Sequence, residues 1–244
     1  MNKDPLFSNE KELTKMFDDI SSRYDFLNHV LSFGIDFLWR KKAVNLLNHI
    51  NKKKKILDVA TGTGDFAILI AKKFHDTNVI GMDPSYKMLK IAQKKIKNHF
   101  LEKRVQIIQG YSQNIPFKND TFDGVTISFG FRNFQCFHIS LKEIYRILKP
   151  LGFLEILEFS HPSNICIKKL YYFYSHFILP KIGSYLSKNY FAYNYLQESI
   201  KSFSYYGNKM KKFLKYHRFN PIHTKKLTFG IASIYLSKKI VSSK

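Results

Sequence analysis

The chain reads as a doubly wound α/β fold: a mostly parallel seven-stranded sheet with helices on both faces, in a single domain of 244 residues. Three observations predict it. Short apolar runs alternate with stretches of helical periodicity, the rhythm of βαβ units. The first apolar run, Ile56-Leu57-Asp58-Val59, leads into a glycine-rich turn, Gly62-Thr63-Gly64, which opens a helix. The second run, Val79-Ile80-Gly81-Met82, ends in Asp83, about 20 residues on, where a ribose-gripping acid sits in nucleotide-binding βαβ units.

Each element has its own signal. Residues 10–50 are expected to be helical, because Leu13, Met16, Phe17 and Ile20, then Phe37, Leu38, Val44 and Leu47, recur at helical spacing. Ser32-Phe33-Gly34 marks the break between the two helices, and the run Lys52 to Lys55 reads as a solvated connector. Strands are expected at 55–60, 78–83, 104–109, 122–128 and 152–159, and helices at 65–75, 85–98 and 137–148. A helix at 207–217 and strands at 222–229 and 231–237 around Gly230 close the chain. No internal repeat is visible. These elements divide the domain into a helical cap (1–51), a ligand-binding core (52–160), a helical insertion (161–206) and a terminal helix with antiparallel strands (207–244). Between 171 and 195, ten of 25 residues are aromatic, against 16% overall. That excess suits a lid over an apolar substrate better than a plain helical hairpin.

Composition excludes some classes. A hydrophobic content of 45% rules out a disordered chain. The net charge of +22 invites a nucleic-acid partner, yet only six of the forty basic residues are Arg. Lys, Asn, Ile, Phe and Tyr are abundant together, which AT-rich codon usage produces without selection for phosphate binding. No nucleic-acid partner is expected. Cys136 and Cys166 lack metal-site or disulfide spacing, so no metal is expected. The first ten residues lack an apolar signal core, and no run of about 18 apolar residues occurs, so a cytoplasmic protein is expected.

Two cofactors fit the glycine turn. Gly62-Thr63-Gly64-Asp65-Phe66-Ala67 satisfies the dinucleotide pattern, with Gly62 and Gly64 free to take positive φ and let a ligand approach the backbone. Asp58 argues against a dinucleotide, since a carboxylate inside the strand repels a pyrophosphate. The same charge favours S-adenosylmethionine, which carries an ammonium and a sulfonium. The plain alternative is that Asp58 only caps the turn. Asp83 is expected to accept both ribose hydroxyls.

The run Tyr24-Asp25-Phe26-Leu27-Asn28-His29 and onward to Gly34, with Trp39-Arg40 following, resembles the N-terminal signature of the quinone C-methyltransferases, the demethylmenaquinone and ubiquinone enzymes. The runs Ile127 to Asn133, Arg146 to Ser160 and Leu227 to Ala232 are similar to further blocks of the same family. Together they span nearly the entire chain.

That resemblance implies a methyltransferase fold whose sheet ends in antiparallel strands. The implied activity is ring methylation of a lipid-soluble quinol by S-adenosylmethionine. It places Asp58, Gly62, Thr63, Gly64, Asp83, Tyr111, Ser112 and Ser128 around the methyl donor. Tyr24, Asp25, Arg132 and Asn133 fall on the acceptor side. Arg132, always cationic, suits a developing phenolate rather than the role of base; its alternative is an ion pair with an acid such as Asp123. Asp25 is expected to orient or accept the quinol proton, or else to be an N-cap. Glu158 is expected to contact the substrate head group. His161 and His176 are candidate bases by residue type; His176 falls on no recognised block and reads as a surface or core histidine.

Two positions depart from the family pattern. Tyr111-Ser112 stands where Asn or Asp followed by Ala is common, so Tyr111 is expected to stack on adenine and Ser112 to supply a hydrogen bond. Leu151 stands where Gly is usual, so the turn before the fifth strand is expected to rely on Gly152. Asp36 resembles the menaquinone-type members, favouring demethylmenaquinol over the benzoquinol precursor of ubiquinone. An oxidoreductase, a different methyltransferase and a non-catalytic binding protein are the remaining classes; Ser128-Phe129-Gly130-Phe131 suits neither an adenine nor a pyrimidine methylase. Peripheral membrane contact through the aromatic stretch and Lys168, Lys169, Lys181 and Lys188 is expected, with a homodimer left open.

Overall fold

The computed structural model describes residues 10–32, 34–49, 54–162, 164, 169, 195 and 198–241. The aromatic stretch apart from Tyr195 lies outside them, as do His176, Cys166, Phe33, Lys52 and the lysines at 168, 181 and 188.

Seven strands form one sheet: β1 (Lys55–Val59), β2 (Asn78–Asp83), β3 (Val105–Gln109), β4 (Phe122–Ser128), β5 (Leu148–Phe159), β6 (Phe219–Leu227) and β7 (Ala232–Lys239). Their order is β3-β2-β1-β4-β5-β7-β6. The first five run parallel, and β7 inserts antiparallel between β5 and β6. The chain reverses its direction of travel across the sheet between β1 and β4, and ligands bind in the crevice at such a point.

Register keeps apolar rows aligned. Leu57 pairs with Ile80 and Val125, and Val125 with Leu154. This row faces the core that holds Leu141 and Ile144 of α5 (Phe137–Ile147) and Met210 and Leu214 of α6 (Gly207–Tyr216). The other face, with Ile56, Val79 and Leu157, packs on α2 (Ile35–Leu46) and α3 (Asp65–Lys73). Between β2 and β3 runs α4 (Tyr86–Asn98), capped by Ser85, whose hydroxyl accepts the Met88 N–H at 3.2 Å. The long first helix, α1 (Glu10–Leu31), lies against α4.

Three local expectations need correction. In α2 the buried residues are Asp36, Trp39, Arg40, Ala43 and Val44, whereas Phe37 and Leu38 are 47% and 53% exposed. The helix inserts an ion pair, Asp36 with Arg40, where the apolar pattern pointed to the hydrocarbon side chains of Phe37 and Leu38. At the head of β5 the left-handed residue is Leu151, φ 60°, not Gly152. Gly152 serves a different need, because a Cβ there would stand 2.8 Å from the Lys149 carbonyl oxygen. The last two strands are displaced from the expected ranges, since Thr228–Gly230 forms a 3-10 turn with Phe229 at φ 56°.

Candidate functional site

A cleft opens over the carboxyl ends of β1, β2 and β4. Val59, Ala60 and Gly62 supply its floor, Asp83, Pro84 and Met88 one wall, and Ser128 to Gly130 with Asn133 and Phe134 the other. Those walls follow β2 and β4, which flank β1 on opposite sides. Tyr111 and Ser112 close one end, and Leu13, Phe17 and Tyr24 of α1 roof it.

The turn after β1 is built to leave this space empty. Gly62 has φ 56°, and a Cβ on it would meet nothing within 4 Å. Its N–H donates to Asp83 Oδ2 at 2.8 Å, and Ser85 N–H donates to Asp83 Oδ1 at 2.9 Å. Burial nevertheless lifts the Asp83 carboxyl to about 6, against these two donors that lower it. Each oxygen keeps a lone pair for a further donor.

Asp58 lies beneath the turn rather than in the cleft lining. Thr61 Oγ1 donates to its Oδ2 at 2.6 Å and Thr126 Oγ1 to its Oδ1 at 2.7 Å. Burial raises it to about 6, with the two threonine hydrogen bonds acting the other way. Thr63 and Gly64 shape the turn from outside the cleft. Gly64 caps α3 at φ 83°, with Ala92 Cβ 3.0 Å from where its own Cβ would be. Tyr111 and Ser112 reach the cleft as expected, though the Ser112 hydroxyl already lies 2.8 Å from that of Ser140. Ser128 Oγ is buried, lines the cleft and has no hydrogen-bond partner among the described residues.

On the acceptor side the structure brings Tyr24 and Asn133 into the lining and keeps Arg132 and Asp25 out of it. Arg132 is a structural cation. Its Nη1 donates to Glu158 Oε1 at 2.8 Å and to the Phe129 carbonyl at 2.6 Å, and its backbone N–H donates to Glu158 Oε2 at 3.1 Å. The ion-pair partner is therefore Glu158; Asp123 bonds Lys149 instead. Burial alone would lower the Arg132 pKa, but Glu158, Tyr24 and Tyr195 together raise it. Glu158 is fully buried and spent on this pair and on the Phe159 N–H at 2.8 Å, which leaves it unable to meet a head group. The Tyr24 hydroxyl is pushed up by burial and remains a neutral donor at neutral pH.

Asp25 sits in mid-helix, so it is no N-cap. It accepts from Thr63 Oγ1 at 2.6 Å and pairs with Lys95 at 2.6 Å, which also reaches Asp65 at 2.6 Å. Two further acids of α1 do the same job. Asp18 Oδ1 accepts from Ser85 Oγ at 2.6 Å and from the Lys87 N–H at 3.1 Å, and Glu10 accepts from the Gln113 amide. Three clasps thus hold α1 down over the cleft. Asp36 is also remote from the lining, held by Arg40, Ser32 and His29.

Sequence reasoning missed the clasps, the roofing residues Leu13 and Phe17, and Tyr195, whose hydroxyl donates to Asn133 Oδ1 at 3.0 Å. The helical stripe of α1 carried the signal for the roof. Nothing local marked Tyr195 out from its aromatic neighbours.

Comparison with known proteins places this arrangement. The model of the ubiE/COQ5 methyltransferase family matches residues 6–239. The chain belongs to that family. It is 38% identical over 229 residues to a demethylmenaquinone methyltransferase of Bacteroides fragilis, covering 94% of this chain and 93% of that one. It is 40% identical over 230 residues to a ubiquinone/menaquinone biosynthesis C-methyltransferase of Geotalea daltonii, covering 94% and 97%. A solved putative S-adenosyl-L-methionine-dependent methyltransferase of Methanococcus maripaludis superposes with TM-score 0.57 at 21% identity, covering all of this chain and 98% of that one; the likeness is one of fold.

Proposed function

We propose that the protein transfers a methyl group from S-adenosylmethionine to a ring carbon of a polyprenylated quinol, with demethylmenaquinol as the acceptor. The observation that carries this reading is the two-walled cleft, one wall ending in Asp83 and the other in Asn133, in a chain of the ubiE/COQ5 family. The names of the relatives support the quinol class.

The residues present fit the methyl donor. Gly62 leaves the approach open, Asp83 offers two carboxylate oxygens for a pair of ribose hydroxyls, and the buried Ser128 hydroxyl, unpaired among the described residues, can take a polar partner. Tyr111 and Ser112 stand where an adenine would be gripped. When bound, S-adenosylmethionine supplies a sulfonium methyl that an electron-rich carbon can attack.

The chain's own task is to prepare that carbon and keep water away. Loss of the quinol hydroxyl proton pushes electron density onto the neighbouring ring carbon. The carbon–carbon bond forms as the carbon–sulfur bond breaks, the ring carbon then sheds its hydrogen as a proton, and the oxygen regains one, so a single proton is released overall. Asn133 and the neutral Tyr24 hydroxyl supply donors to the oxygen, and the Arg132 charge behind them favours the anion. α1 with its clasps holds donor and acceptor in line and excludes water.

The acceptor's tail keeps this chemistry at a membrane surface, since each CH₂ withdrawn from lipid costs about 0.8 kcal/mol. No helix among the described residues is long and apolar enough to cross a bilayer. Docking from the cytoplasmic face through the 171–195 stretch and its flanking lysines satisfies both facts. Binding to anionic vesicles that weakens with salt supports this docking; a protein that stays in the supernatant at low salt overturns it. Quinones extracted from a strain lacking its own enzyme and expressing this one decide the acceptor. Methylated menaquinone supports the reading, and methylation of the benzoquinol alone reassigns the protein to the ubiquinone route.

A further inference from the structure

Asn133 has a side chain with two chemically opposite ends, and only one of them suits the reaction. An oxygen that gains negative charge needs N–H donors; the carbonyl end of the same amide would repel it. The two orientations differ by a half-turn about one bond, and the amide has no intrinsic preference between them. Some neighbour must choose.

We propose that Tyr195 is a positioning residue, whose hydroxyl engages the Asn133 carbonyl and so turns the amide N–H groups toward the acceptor. The contact is Tyr195 Oη donating to Asn133 Oδ1 at 3.0 Å. A phenol can donate or accept, but an amide oxygen carries no hydrogen, so in this contact the Tyr195 O–H is the donor. Arg132, the residue before Asn133, is locked by Glu158 and the Phe129 carbonyl.

The ring of Tyr195 is equally constrained. It is 3% exposed and joins Leu13 and Met16 in a small satellite core, with Phe17 packed edge-on at 6.1 Å. Phe17 in turn stands edge-on to Tyr24 at 6.0 Å. These partners all lie on α1, the helix that roofs the cleft. Seating α1 thus fixes Tyr195, and Tyr195 fixes Asn133. The acceptor side is polarised only when the methyl-donor side is covered.

This inference rests on the reading that Asn133 meets the quinol oxygen, and two measurements on the full chain separate the two ideas. The first is turnover of a short-tailed naphthoquinol by the wild type, Tyr195→Phe, Asn133→Ala and the double variant, with methyl-donor affinity measured by calorimetry. Tyr195→Phe keeps the ring and its packing. It is expected to lower kcat about tenfold while donor affinity stays within about twofold, and to add no further loss in the Asn133→Ala background. The second is binding of 2-hydroxy-1,4-naphthoquinone, an anion at neutral pH, which needs no turnover. Each single variant should weaken it about tenfold and the double no more than that. Wild-type kcat in Tyr195→Phe, losses that multiply in full, or no binding of the anion by the wild type overturns the proposal. A wild type that methylates no quinol yet shows the coupled binding pattern overturns the functional reading and leaves the positioning role standing.

Discussion

Asp83 is asked to do two opposed things at once. Burial lifts its carboxyl to about 6, although two backbone N–H groups favour the charged form. A carboxyl whose folded pKa exceeds its ordinary 3.8 favours folding while protonated, and that contribution is lost as pH rises through about 6. Ligand binding runs the other way, since ribose hydroxyls and a cationic donor prefer the carboxylate. Methyl-donor affinity is therefore expected to fall as pH drops below about 6. Asp83→Asn should weaken binding at least about tenfold at neutral pH, about 1.4 kcal/mol, and flatten the profile. Calorimetry across that range checks both, and unchanged affinity would sink the assignment of Asp83. The glycines and Asp83 were legible in the sequence because their spacing is dictated by the turn itself. Leu151 was legible only as a departure. Placing a β-carbon in left-handed backbone costs roughly 1–2 kcal/mol, and at 68% exposure this side chain has little packing to offset it.

Among the elements, α1 is a roof clasped at three points. Its apolar stripe was readable from Leu13, Met16 and Phe17, but its polar clasps were not, because Glu10 and Asp18 look like ordinary solvated acids, and Asp25 like a partner for the quinol proton, until α4, the glycine turn and Gln113 are placed beside them. The failure over α2 has the same origin. Hydrophobic periodicity assigns charge to the outside, and Asp36 with Arg40 is a charge pair turned inward. The Asp25–Lys95 clasp is partly exposed on both sides, so its removal should change stability by less than about 1 kcal/mol. Its kinetic effect should be larger. Asp25→Ala is expected to speed methyl-donor release several-fold at nearly unchanged melting temperature, which stopped-flow dissociation and thermal denaturation measure together. A melting temperature that collapses would make the clasp a folding element instead.

Across the whole molecule, one polar row crosses the middle of the sheet. Asp58 on β1 pairs in register with Thr126 on β4, and Thr126 with Glu155 on β5. Asp58 is satisfied by threonines, whereas both oxygens of the fully buried Glu155 lack a hydrogen-bond partner among the described residues. Desolvation, with Asp58 nearby, raises Glu155 well above its ordinary 4.5. Its burial destabilises the fold most at neutral pH and least as pH falls toward that ordinary value. Glu155→Met, which removes the unpaired oxygens in a similar volume, should stabilise the protein by about 1–3 kcal/mol. The gain in melting temperature should be larger near pH 7 than near pH 5; a loss at both would show that the carboxyl has a partner. No sequence pattern discloses such a residue. Within a strand, an acid among apolar neighbours marks an edge or an active site more readily than the centre of a sheet.

The seat of α1 is assembled from parts scattered along the chain: Thr63, Ser85, Lys95, Gln113 and Tyr195. The helix leaves the ribosome before any of these, and Tyr195 is made more than a hundred residues later. Its apolar stripe must wait, uncovered, while the sheet grows by neighbouring strands. Vectorial synthesis therefore delays completion of the roof until Tyr195 has emerged, and leaves this helix in need of protection until then.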